Sequence, residues 1–266
     1  MSKNTDTDKN AGPENSAGAG NNESLGKSSS DWKGSLNLKL PKVNKQYKDR
    51  LFRFIFASHP QWTLKLYNAI NKTAYTNFDE LEFTTLENAL FMSVRNDLSF
   101  LIADTMNFYE AQSTPNPNMP MRFLIYAAMV YNSYISSARI NLSSAKQQKL
   151  PAPRLVCLYE GRENSSIEDE TVLSLETAFN EGAVSDISVK VKMLNINQGH
   201  NGELLEACRP LRDYSQFIYE TRNYIDSKKS DIMSDKEINS LMTEAIVDAI
   251  EKLPDGEVNS NSLPQL

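Results

Sequence analysis

The sequence predicts a mixed α/β fold, a sheet layered with helices. Three observations point there. Apolar residues recur at helical spacing near residues 51–70, stretches rich in β-branched and aromatic residues recur further on, and the two kinds interleave as helix, strands, helix, strand, strand, helix. No internal repeat is visible.

Taken in order, "YKDRLFRFIF" puts Leu51, Phe52, Ile55 and Phe56 on one helical stripe, and "QWTLKLYNAI" does the same with Trp62, Leu66 and Ile70. "NALFMSVRNDLSFLIAD" is too polar at its centre for a buried helix and reads as extended, followed by a short turn and the strand "NFYEAQS". "NMPMRFLIYAAMVYNSYI" carries helix-start signals, with Asn118 as N-cap and Pro120 in the first turn. "PRLVCLYEG" and "ISVKVKMLNIN" are the next strands. "NGELLEACRPLRDYSQFIYETRNYI" is helical, with a break near Arg209 because Pro210 lacks a backbone donor and crowds the preceding turn. "SDKEINSLMTEAIVDAIEKL" is amphipathic through Ile238, Leu241, Ala245, Ile246 and Ile250. It packs either on the core or on a second copy, which leaves a homodimer open.

The chain has 266 residues, 40% of them hydrophobic, and a formal charge of −6. Residues 1–40 are rich in Ser, Asn and Gly and nearly free of large apolar side chains, so they are expected to be disordered and dispensable. Residues 41–228 form the expected globular domain and 229–266 an acidic helix and tail, which holds most of the negative charge at −5. No run approaches the ~18 apolar residues of a membrane helix, and no signal-like apolar stretch opens the chain. A cytoplasmic protein without a membrane partner is expected. Two distant cysteines, Cys157 and Cys208, offer no zinc spacing, and His59 and His200 are the only histidines. Chemistry built on several His ligands is excluded. A catalyst here works with carboxylates, amides and basic residues.

Such a set stands in "NFYEAQSTPNPNMPMR", residues 107–122. On a strand, Glu110 and Gln112 point to the same face. A two-residue turn at Asp104 and Thr105 would place Asp97 opposite Gln112, with the Asp97 and Glu110 carboxylates diagonal at roughly 7–8 Å. A three-residue turn would set Asp97 against Ser113 and spoil the cluster. Two carboxylates without histidine suit Mg²⁺, which binds through one or two of them and keeps several waters. A solvated sheet face would show similar letters.

"TLENALFM", "NDLSFLIAD", "FYEAQSTPNPNMPMR", "KLPAPRLVCLYEG" and "LNINQGHNGELLEACRPLRDY" together resemble the PD-(D/E)XK nuclease superfamily. The nearest branch is the recombination-promoting nuclease group, also labelled transposase, and the resemblance covers about residues 46–226. It implies a restriction-endonuclease-like core, a central mixed sheet flanked by helices, and a Mg²⁺-dependent DNA endonuclease. Asp97 matches the first motif acid, Glu110 the second, and Gln112 the position usually held by lysine. Many relatives have histidine where this chain has Ala111, and "FASHP" stands where the first helix often ends in glycine.

Glu87 and Asp49 are candidate additional acids. Lys45, Lys48, Arg50 and Arg53, with Lys42, form a basic stretch entering the first helix, and with Arg122 they are the candidate DNA-binding residues. Arg122 falls in the first turn of a helix, where the dipole disfavours a cation unless an anion is near. Glu110 or a DNA phosphate would supply it. The rival readings are strand transfer of the transposase kind, and a nucleic-acid-binding or protein-interaction domain without turnover.

Overall fold

Strand β2 (Leu98–Ile102) is buried at every position and β3 (Thr105–Gln112) at all but its two ends. Strands buried on both faces belong to the middle of a sheet covered on each side. The computed structural model describes residues 47–84, 97–162, 167–228 and 233–252. Besides β2 and β3 they form β1 (Glu82–Phe83), β4 (Ala152–Tyr159), β5 (Glu170–Ser174) and β6 (Lys190–Asn195), in the order β1-β2-β3-β4-β6-β5. The β3–β4 and β4–β6 pairs are parallel and the others antiparallel. Helix α3 (Met119–Ser137) provides the crossover that the parallel β3–β4 pair requires. The protein is therefore α/β with a mixed sheet flanked by helices, consistent with a restriction-endonuclease-like core.

Side-chain alternation divides the core into two layers. Leu98, Phe100, Tyr109, Ala111, Val156 and Leu158 face α1 (Tyr47–Ala57), α2 (Pro60–Asn71) and α5 (Arg209–Lys228). Leu101, Met106, Phe108, Cys157 and Tyr159 face α3 through Met119, Phe123, Tyr126 and Val130. Between α1 and α2, the His59 ring stacks on Trp62 at 3.9 Å, and its Nδ1 lies 2.9 Å from the Ile55 carbonyl oxygen. His59 fastens a corner.

Several details depart from the expected elements. β1 has only two residues, too few for a period to register. β5 is an edge strand whose Val172 is 58% exposed, so its letters lack a buried alternating face. β6 starts at Lys190 instead of Ile187, which is exposed. Asn118 holds the N-cap position of α3 but makes no capping bond with its side chain. α4 (Gly202–Ala207) gives way to α5 at Cys208, where Pro210 calls for a break. α6 (Asp235–Lys252) lies on α5 with Leu241, Ala245, Ile246 and Ala249 buried, so the tail helix joins the core of its own chain. Residues 1–40 lie outside the described residues.

One further tie crosses the layers. Glu160 follows β4 with its carboxylate on the α5 side, and Arg222 of α5 forms an ion pair with it, the two side chains 3% and 11% exposed. The Glu160 N–H donates to the Gln112 carbonyl at 2.9 Å, which joins this pair to the end of β3. Neither residue stood out in the sequence.

Candidate active site

The β2–β3 turn is corrected by one residue. Ile102 pairs with Thr105, so the turn residues are Ala103 and Asp104, not Asp104 and Thr105. The Thr105 hydroxyl donates to the Ile102 carbonyl at 2.9 Å, and its β-branched side chain starts the strand. Ala103 takes the left-handed conformation at φ 49°, which costs an L-residue about 1–2 kcal/mol.

Each cross-strand partner therefore moves by two. Leu98 faces Tyr109; carried one residue beyond β2, this register sets Asp97 against Glu110 instead of the expected Gln112. A shift of two keeps every side chain on its face, so Asp97, Glu110 and Gln112 still share the α3 side. On that register the two carboxylate residues are directly opposed, not diagonal.

Glu110 follows Met106 and Phe108 in the row facing α3, and it is 3% exposed. A carboxylate so buried is costly unless paired. Arg122 pairs with it: Nη2 bonds Glu110 Oε1, while Nη1 donates to Gln112 Oε1 at 3.3 Å. Nε and Nη2 donate to the Tyr126 hydroxyl at 3.1 and 2.9 Å. Arg122 and Tyr126 reach the same spot because residues four apart share a helix face. The anion that a first-turn arginine needs is Glu110. Asp97 is also buried, and its Oδ2 accepts the Ala111 N–H at 2.9 Å.

The electrostatics follow from this crowding. Burial pushes the Tyr126 hydroxyl up to about 12, with the Glu110 charge adding to it. Burial first, then Glu110, raises the Cys157 thiol. Burial works against the Arg122 cation, but Glu110 and Tyr126 outweigh it and its affinity for the proton rises. Cys157 is the neighbour of Glu110 on β4. That adjacency depends on long-range parallel pairing, which no local pattern reports.

Of the other candidates, only Arg53 has a described side chain. Glu87, Lys42 and Lys45 lie outside the described residues, and Lys48, Asp49 and Arg50 fall on α1 with side chains outside them. Arg53 is half-buried on α1, which packs on the sheet face opposite to that of Glu110. His200 Nδ1 lies 2.7 Å from Asp169 Oδ1 in a loop contact before α4. Two open clefts, of about 740 and 750 Å³, lie elsewhere on the surface.

Among the described residues no group of three or more His, Cys, Asp or Glu gathers. The set at the hairpin is two carboxylates and an amide oxygen. These are hard donors that fit Mg²⁺, and a cationic group already seats itself on Glu110. Among the described residues, no helix is long and apolar enough to cross a membrane. Compared with family models, curated proteins and solved structures, the chain has no significant match in any of the three.

Tyr159 borders the set as the partner of Gln112 across β3–β4. A Cβ at Gly161 would overlap the Tyr159 hydroxyl and ring, and that ring is fully buried. Gly161→Ala is expected to cost about 1–3 kcal/mol, the usual range for overpacking. Thermal unfolding checks this: an unchanged midpoint would mean that the ring has somewhere to go.

Proposed function

We propose that the chain is a Mg²⁺-dependent DNA endonuclease of the PD-(D/E)XK type, hydrolysing a phosphodiester by attack of water. Two buried acids, Asp97 and Glu110, whose charges both act on Arg122, Tyr126 and Cys157, with Gln112 two residues on, carry this reading. Asp97 and Glu110 would hold the metal. When bound, Mg²⁺ supplies charge that polarises a phosphoryl oxygen and makes a water more acidic. The Gln112 amide orients that water but cannot take its proton. Arg122, at the rim, offers its charge to the phosphate. The resemblance suggests a cytoplasmic role in recombination, or in acting on mobile or foreign DNA.

A second reading, DNA binding without turnover, draws on two observations. Glu110 is paired with Arg122, and an amide stands at the usual lysine position. Strand transfer uses the same residues and differs in product, since it joins ends. Supercoiled plasmid with Mg²⁺ separates the three: nicking supports hydrolysis, joined products support transfer, and shifted but intact DNA supports binding alone. Asp97→Asn should stop any cleavage.

DNA affinity in a chain of formal charge −6 must come from local cations. If Lys45, Lys48, Arg50 and Arg53 meet about four phosphates, log K should fall with log[salt] at a slope near −4. Neutralising Lys45 and Lys48 should flatten the slope by about two and weaken all sequences alike. Filter binding across a salt series reads both. A slope near zero would remove the basic stretch from DNA contact.

A further inference from the structure

The position of Arg122 suggests how the site is kept before a metal arrives. Its guanidinium bonds Glu110 Oε1, the oxygen of a side chain only 4% exposed, while Arg122 itself is 36% exposed. The buried partner is fixed in the sheet, and the half-buried one rides on a flexible stem in the first turn of α3. The other two nitrogens are held as well, Nε by the Tyr126 hydroxyl at 3.1 Å and Nη1 by the Gln112 amide oxygen at 3.3 Å, so Arg122 is aimed at the acid and not merely near it.

Among the described residues, the two acids when ionised and the one guanidinium carry −1. A divalent cation together with the guanidinium would make the cluster +1. A divalent cation in its place makes it neutral. Two cations on one buried carboxylate repel strongly in a medium of low dielectric.

Resting on the proposed metal site, we infer that Arg122 is a displaceable counter-cation: it occupies Glu110 in the metal-free protein, and metal entry and Arg122 release are one event. Arg122 is thus a positioning residue. It keeps a buried carboxylate paired, and its release leaves it free at the rim.

The test uses Mn²⁺ and the full chain. Calorimetry should show Arg122→Gln binding Mn²⁺ at least about tenfold tighter than the wild type, because a charge-assisted bond no longer has to break. Glu110→Gln should bind Mn²⁺ far more weakly. In case Arg122→Gln folds poorly, phenylglyoxal labelling of the wild type, mapped by peptide mass, gives a second readout. Saturating Mn²⁺ should raise labelling at Arg122, whereas in Glu110→Gln labelling should be high with or without metal. Mn²⁺ that binds without changing Arg122 labelling, or equal affinities in wild type and Arg122→Gln, overturns the displacement while leaving the metal site standing. Absence of Mn²⁺ binding to wild type and Arg122→Gln alike overturns both.

Discussion

Glu110→Ala is expected to lower Mg²⁺-dependent cleavage by on the order of 10³-fold, since a metal contribution of several kcal/mol is lost and each 1.36 kcal/mol is a factor of ten. DNA binding should survive or tighten slightly, because the change removes a negative charge and frees Arg122 for phosphate. Stability should change little. Arg122 is 36% exposed, so without Glu110 its guanidinium can turn to water while keeping Tyr126 and Gln112 within reach. Removing the other partner is different in kind: Arg122→Ala leaves a carboxylate that is only 4% exposed without its guanidinium. Single-turnover nicking, filter binding and thermal unfolding of Glu110→Ala measure the three effects separately. Cleavage within about tenfold of wild type would take Glu110 out of the chemistry, by the same conversion of rate to free energy. Lost binding with lost folding would make the residue structural.

Much of this site was legible because it is local. Glu110 and Gln112 share a face by strand period alone, and Asp97 joins them through a short hairpin. The hairpin count missed by one turn residue because Asp104 and Thr105 are both acceptable turn letters, while the decisive contact is the Thr105 hydroxyl reaching back to Ile102. The error did not matter for the face, since a shift of two preserves alternation. Helix α3 was marked by Asn118 and Pro120, and Arg122 was already out of place at a helix start. What could not be read was anything set by distant pairing. Cys157 beside Glu110 depends on the β3–β4 register, and β5 shows no buried period because it lies at the edge. Of the basic stretch expected to follow DNA phosphates, the described Arg53 lies on α1, which packs on the other sheet face. Charge runs carry no information on which face they will meet.

The other large effect expected is on folding, at Glu160 and Arg222. Both are nearly buried, at 3% and 11% exposed, and they link β4 to α5 beside the end of β3. Taking two charges out of water costs about as much as their attraction returns, so the pair contributes little net stability. Removing one member has no such balance. Arg222→Met should destabilise the protein by about 3–5 kcal/mol, because it takes the guanidinium away from a buried charge. At about 2–4 °C per kcal/mol for a domain of this size, the midpoint should fall by roughly 10 °C. The double change Glu160→Leu with Arg222→Met should recover most of that, ending within about 1 kcal/mol of the wild type or above it. Denaturant unfolding of the four proteins closes the cycle. A double variant as unstable as Arg222→Met would mean that the pair holds the sheet end by geometry that leucine and methionine cannot copy. In that case Gln112, whose carbonyl accepts the Glu160 N–H, should lose its position as well, and nicking should fall with stability instead of recovering.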